Sequence, residues 1–331
     1  MRKRLLLLAL LLPAVAWTGG AAATPTSLLY LALGDSLAAG VGASEPAQTG
    51  YVGLVFEALR TEPDSPFRDS DLALLNLGVS GETTTSMLAS DGQLEKALAE
   101  IESRRGDAVD GNEVAVITVD IGANDFIPLV QGGSPCLPNP LSSSCQEAAE
   151  SALTTFQSNF TDIMRRLRAA AGSDAPIVAL GLYNPLSGTG GPFDAVGDTA
   201  VALFNGAVAA TAADPDVQAG LADVLPLFRD RGAQLTHIAE LPPDVHPNDS
   251  GYYLMAQAVV VALGLPAEAV ATPASGLAPT ATFSPPPTVG ALPSTGGNGD
   301  DDTPWALYVG LAAGVVVVAT ALLVLARRRA G

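Results

Sequence analysis

Leu28-Leu29-Tyr30-Leu31-Ala32-Leu33 runs directly into Gly34-Asp35-Ser36. An unbroken apolar run ended by a turn tripeptide suits a strand buried on both faces of a sheet. The pattern returns three times. Leu72 to Leu77 ends at Gly78, Val114 to Val119 ends near Gly122, and Ile177 to Leu182 ends near Asn184-Pro185. Longer stretches with helical spacing lie between the runs. Gln93 to Arg104 places Leu94, Leu98 and Ile101 one or two turns apart, and Glu147 to Ala171 aligns Leu153, Phe156, Phe160, Ile163 and Leu167 on one face. Gly172 and Pro176 stop that helix. Tyr51 to Arg60, Ala195 to Ala212 and Gly251 to Leu263 complete the set, with Asp249 or Ser250 as the cap of the last. A fifth strand falls at Ala222 to Leu225, just before Pro226. This alternation predicts an open α/β fold, a parallel sheet of about five strands with helices on both faces, spanning residues 28–265.

Ligands of such sheets bind beyond the carboxyl ends of the strands. The chemistry-bearing residues stand there. Ser36 closes the first run. Gly81 follows the second, in Ser80-Gly81-Glu82-Thr83-Thr84, where a glycine leaves its backbone N–H free to approach a ligand. Asn124 follows the third, in Gly122-Ala123-Asn124-Asp125, and its amide offers a further donor. His246 lies in Asp244-Val245-His246-Pro247 before the last helix. Each alone has a plainer reading: a turn, a turn glycine, a helix cap, a packing histidine. All four in this order make a constellation.

Gly34-Asp35-Ser36-Leu37, Gly81, Gly122-Ala123-Asn124-Asp125 and Asp244-Val245-His246-Pro247 resemble the four blocks of the SGNH/GDSL hydrolases. The resemblance covers nearly all of residues 28–265. It implies a flavodoxin-like three-layer α/β/α sandwich and ester hydrolysis through an acyl-enzyme, without metal or organic cofactor. Ser36 is then the nucleophile and His246 the general base. The Ser36 N–H, the Gly81 N–H and the Asn124 amide form the oxyanion hole. The family places its acid three residues before the histidine; here that position is Pro243, and Asp244 stands two before. The third member of the triad is therefore either Asp244 or a backbone carbonyl. His237, the other histidine, is expected to be dispensable.

The ends carry different signals. Met1-Arg2-Lys3-Arg4, an apolar run from Leu5 to Leu12 and Ala21-Ala22-Ala23 fit a secretory signal peptide over residues 1–23. Trp305 to Ala326 carries no charge and as a helix is about 33 Å long, enough to span a bilayer. Arg327-Arg328-Arg329 follow in a tail over 327–331, which places the bulk of the chain outside the membrane. Residues 266–303, rich in Pro, Ala and Thr, read as an extended stalk. Within it Leu292-Pro293-Ser294-Thr295-Gly296 precedes the span and the basic tail, an order that resembles the sorting signal of sortase substrates. The resemblance implies cleavage after Thr295 and transfer to the cell envelope. If no sortase acts, the span itself is the anchor.

Composition narrows the choice of function. The chain has 331 residues, with 16 Lys plus Arg against 34 Asp plus Glu and a net charge of −18. That balance argues against a nucleic-acid partner, which needs a basic footprint. Six of those 16 basic residues, Arg2, Lys3, Arg4 and Arg327 to Arg329, belong to the targeting segments, so the exported part is more acidic still. The only two cysteines, Cys136 and Cys145, suit one disulfide in an exported protein and are too few for a metal centre. Asn159-Phe160-Thr161 matches a glycosylation sequon. Two further readings compete with a surface ester hydrolase acting on lipid, short-chain acyl or acetylated-glycan esters. One is a non-catalytic surface binding protein or adhesin on the same fold. The other, a nucleotide-binding domain, lacks the phosphate-binding glycine fingerprint.

Overall fold

The computed structural model describes residues 27–272, apart from 106–108, 110, 131, 137, 138, 140, 141, 192 and 193. The signal peptide, nearly all of the stalk, the sorting pentapeptide, the apolar span and the basic tail lie outside the described residues. No described helix is long and apolar enough to cross a membrane.

Five strands form one parallel sheet: β1 (Leu28–Gly34), β2 (Leu72–Asn76), β3 (Val114–Asp120), β4 (Ile177–Leu180) and β5 (Gly220–Ala222), in the order β2-β1-β3-β4-β5. This is the flavodoxin-like order, and its switch point lies between β1 and β3. Among the described residues, five α-helices of two turns or more cover it: α1 (Tyr51–Thr61), α2 (Gln93–Arg105), α3 (Ser143–Ala171), α4 (Asp194–Ala212) and α5 (Asp249–Ala262). The alternation of side chains along β1 divides the core. Leu29, Leu31 and Leu33 pack with Leu94, Ile101, Phe156, Ile163 and Phe204 under α2, α3 and α4. Tyr30 and Ala32 pack with Val55, Leu59, Met255 and Val259 under α1 and α5. Burying a side chain of this size contributes roughly 1.5–3 kcal/mol, so the apolar runs fix β1 between two helical layers.

Most boundaries shift by one or two residues from the sequence-based expectation, β4 ending at Leu180 rather than Leu182, and three differences have local causes. β5 ends at Ala222, and Leu225–Phe228 forms a short helix instead of strand. Pro226 sits in its first turn, where a missing N–H costs nothing. α3 begins four residues before Glu147 because the Ser142 side chain accepts from Cys145 N and caps it there. The cap of α5 is Asn248, whose side chain accepts from Gly251 N, rather than Asp249 or Ser250. Asp249 has other partners: Ser44 N at 2.8 Å, Ser44 Oγ at 2.5 Å and Thr49 Oγ1 at 2.8 Å all donate to its carboxylate.

Candidate active site

Ser36 follows the end of β1 and is 9% exposed. Two backbone bonds fold the turn around it: Ala39 N donates to Asp35 O at 3.1 Å, and Val41 N donates to Ser36 O at 2.9 Å. His246 comes to meet it from the other end of the chain. Its Nε2 lies 2.9 Å from Ser36 Oγ. Its Nδ1 lies 2.5 Å from Asp244 Oδ1, and its backbone N donates to the same oxygen at 3.0 Å. The Nδ1–H tautomer satisfies both contacts, with Nε2 left to accept from serine. The structure thus brings a hydroxyl, an imidazole and a carboxylate into one relay. Asp244, not a backbone carbonyl, stands at Nδ1.

The His246 segment is pinned from three sides. Tyr183 Oη donates to Val245 O at 2.9 Å. His237 N donates to His246 O at 3.1 Å, and Asp244 N donates to His237 O at 3.2 Å. Thr236 and Pro247 form an antiparallel bridge. His237 adds a side-chain tie. Its Nε2 lies 2.8 Å from Gly42 O and its Nδ1 2.6 Å from Glu240 Oε1. Both ring nitrogens face acceptors, an arrangement that only the imidazolium satisfies in full. Burial alone would lower its pKa, but Glu240 and the Gly42 carbonyl outweigh that and raise it.

The expected oxyanion donors stand on the β1 turn and on the loops after β2 and β3. Gly81 has φ +83° and open space where a Cβ would stand. That left-handed conformation suits glycine. Neither the Ser36 N–H nor the Gly81 N–H has an acceptor among the described residues. Asn124 is the second residue of a 3₁₀ helix spanning Ala123–Val130. Its Nδ2 donates to Glu82 O at 2.9 Å and reaches Asp35 Oδ2 at 3.3 Å. The first contact aims the amide; the second is long and weak. Asp125 beside it accepts from Thr84 N and Thr84 Oγ1, tying β3's exit to the Gly81 loop. The structure therefore places Ser36, His246, Asp244 and Asn124 around one point where β1 and β3 part, with Gly81 on the adjoining loop.

Acidic groups lie buried beneath the Ser36 turn. Asp35 and Asp120 are almost wholly buried. Asp35 accepts from Leu37 N at 3.0 Å, yet burial still pushes its carboxyl from 3.8 up to about 7. Asp120 is held well above the usual carboxylate range by burial first and by neighbouring Asp35 second. Backbone N–H groups nearby offset part of that rise, but no donor among the described residues completes a well-formed hydrogen bond to either carboxyl oxygen. The proton-bearing form is the one such surroundings favour. The Asp120 carboxyl also fills the space above Gly34, where any Cβ would overlap Oδ1. A Tyr30–Thr118 hydroxyl contact of 3.0 Å completes this polar floor.

Cys136 and Cys145 form a disulfide, and both are buried. It ties the segment after the 3₁₀ turn to the first turn of α3. Asn159 of the sequon lies inside α3 and donates to Thr84 Oγ1 at 3.2 Å and Thr85 Oγ1 at 3.1 Å. Its amide serves packing between α3 and the Gly81 loop. Sequence reasoning missed Gln93, Glu82, Tyr183 and the tie made by His237. Gln93 and His237 stand away from the strand exits, and Glu82 and Tyr183 read locally as loop residues.

The GDSL-like Lipase/Acylhydrolase family matches residues 32–254 of this chain. The uncharacterized protein YpmR of Bacillus subtilis (strain 168) is 25% identical over 250 residues, covering 74% of this chain and 86% of YpmR. Among solved structures, the lipase Lip_vut3 from a goat rumen metagenome superposes with a TM-score of 0.52 at 23% identity, covering 71% of this chain and 97% of the lipase. That likeness speaks to the fold. The family match spans both ends of the relay's framework, from β1 into α5, and so this chain belongs to the GDSL-like lipase/acylhydrolase family and is a carboxylic ester hydrolase.

Proposed function

We propose that the chain cleaves carboxylic esters through an acyl-enzyme on Ser36. One observation carries the reading: the unbroken relay Ser36 Oγ–His246–Asp244, with contacts of 2.9 and 2.5 Å. A neutral serine is a poor nucleophile near pH 7 and needs an adjacent base. His246 Nε2 takes the Ser36 proton as Oγ attacks the ester carbonyl. Asp244 holds the ring in the correct tautomer and stabilises the imidazolium. The oxyanion is received by the N–H groups of Ser36 and Gly81 and by the Asn124 amide, which turns from its long contact with Asp35. Each such donor contributes about 2.7–4 kcal/mol to lowering the barrier. His246 then protonates the leaving alcohol, and water repeats the sequence on the acyl-enzyme.

The site also belongs, on this reading, to an exported protein held at the cell surface. The basic and apolar N-terminus, the stalk, the pentapeptide at 292–296 and the apolar span support that address. Lipid, short-chain acyl and acetylated-glycan esters are all chemically admissible, and an ester panel on residues 24–270 sorts them. The test of the chemistry is Ser36→Ala. It should abolish labelling by a serine-directed phosphonate and nearly all turnover of p-nitrophenyl acetate. Full activity in that variant would refute the nucleophile.

A further inference from the structure

We propose that Gln93 is a positioning residue for this reaction, the tie that keeps the nucleophile turn and the oxyanion donors in register; the proposal rests on the acyl-enzyme reading above. Gln93 opens α2 and is 3% exposed. Its amide is committed on every side. Oε1 accepts from Gly34 N at 2.9 Å, and Nε2 donates to Gly34 O at 2.8 Å. The same Nε2 donates to Glu82 Oε2 at 2.8 Å. Bonding both the N–H and the C=O of one residue is what a neighbouring strand does. Gln93 does it with a side chain, at the last residue of β1, where the chain turns out toward Ser36.

The other partner leads to the oxyanion donors. Glu82 directly follows Gly81, and its backbone O aims the Asn124 amide at 2.9 Å. Its carboxylate is buried and accepts from Ser86 Oγ as well as from Gln93. Gln93 therefore touches two things at once: the backbone two residues before the nucleophile, and the residue that orients both remaining donors. A misplacement of about 1 Å in such a constellation costs on the order of 10²-fold in rate.

The chemistry explains why glutamine stands here. The position needs one acceptor and two donors in a plane. An ionised glutamate side chain would offer acceptors only, and leucine offers neither. Leucine removes the partner of Gly34 N and of Glu82 Oε2, and glutamate removes the donor to Glu82 Oε2 and one of the two donors to Gly34 O, the other being Val79 N; each buried group so deprived costs more than a lost surface bond. A carboxylate introduced at position 93 would also face the one on Glu82, setting two buried negative charges together.

The experiment compares Gln93→Leu, Gln93→Glu, Glu82→Gln and the double variant Gln93→Glu/Glu82→Gln. It measures kcat and KM on p-nitrophenyl acetate well below each variant's Tm. The single Gln93 variants should lose about 10- to 100-fold in kcat with KM held within about twofold, because a transition-state interaction is what weakens. In Gln93→Glu the ratio of variant to wild-type kcat should rise as pH falls, since protonation gives the introduced carboxyl a donor. The double variant should recover kcat at least about fivefold over Gln93→Glu, because the amide introduced at position 82 then donates to the carboxylate introduced at position 93. Should Gln93→Leu fail to fold, the near-isosteric Gln93→Glu and double variants still decide. A kcat within about twofold of wild type in Gln93→Glu, a loss confined to KM, or no recovery in the double variant would each overturn the proposal. Ser36→Ala run alongside reports separately on the underlying reading: if it turns over, the nucleophile assignment fails whatever Gln93 does.

Discussion

Asp244 departs by one position from the family's acid and still meets His246 Nδ1. Standing two residues before His246, it accepts from both the backbone N and Nδ1 of that histidine. The short spacing curls the segment back on itself, and Tyr183 and His237 hold the curl. Asp244→Ala should then lower kcat by about 10²- to 10⁴-fold, the scale set by misplacing a triad base. A loss of less than about tenfold, measured with circular dichroism to show an intact fold, would remove Asp244 from the relay. Asn124→Ala should cut kcat more than it raises KM, since its contact strengthens only as the oxyanion forms. A change confined to KM would count against that role. Ser36, Gly81, Asn124 and His246 were legible because each stands in a local motif beside its element, the first three after a strand and His246 before the last helix. Gln93 was not, since a glutamine opening a helix reads as solvated polar surface until the fold shows Gly34 and Glu82 beside it.

At the scale of elements, caps and boundaries were the least legible features. Asn248, Asp249 and Ser250 are all competent N-caps by residue type. What separates them is tertiary: Asp249 is engaged by Ser44 and Thr49, which bring the loop before α1 onto the start of α5. Asn248 is left to accept from Gly251 N, and its own backbone N donates to Leu235 O at 3.0 Å. Asn248→Ala should cost about 1 kcal/mol through the lost cap, lowering Tm by about 2–4 °C in a domain of this size. Scanning calorimetry checks it; an unchanged Tm would mean that Asp249 or Ser250 takes over. The apolar runs were legible because strands buried on both faces admit few polar residues. The three-residue β5 was displaced because a run so short carries too little pattern to set its own ends.

For the molecule as a whole, pH should act through the buried acids. Asp35 has its folded pKa raised from 3.8 to about 7, and Asp120 is raised as well. The native state therefore binds more protons than the unfolded chain between about pH 4 and 7. Their contribution to stability is fully present below that window and is lost as pH rises through it. Asp120→Asn removes one ionisable partner of this pair. Its Tm should gain on wild type by several degrees between about pH 5 and pH 8, at about 2–4 °C per kcal/mol. Parallel Tm–pH curves for the two proteins would rule this out. The proposed surface address is tested at the same scale. Mass spectrometry of protein released from the envelope should find a C-terminus at Thr295; an intact Arg329-Ala330-Gly331 end would exclude sortase cleavage.

The amino-acid order alone determined the alternation of strands and helices and the placing of Ser36, Gly81, Asn124 and His246 in the loops that follow or precede those elements. It could do so because burial on two faces, helical spacing and turn chemistry are local properties, written in neighbouring residues. The sheet order with its switch point, the burial of Asp35 and Asp120 under Ser36 and the Gln93 tie were decided by the tertiary structure. Those features depend on groups brought together from distant parts of the chain: 59 residues separate Gly34 from Gln93, and 210 separate Ser36 from His246. A hydrogen bond or a desolvated charge has no sequence signature of its own; its energy exists only once folding has excluded water and set the partners at contact distance.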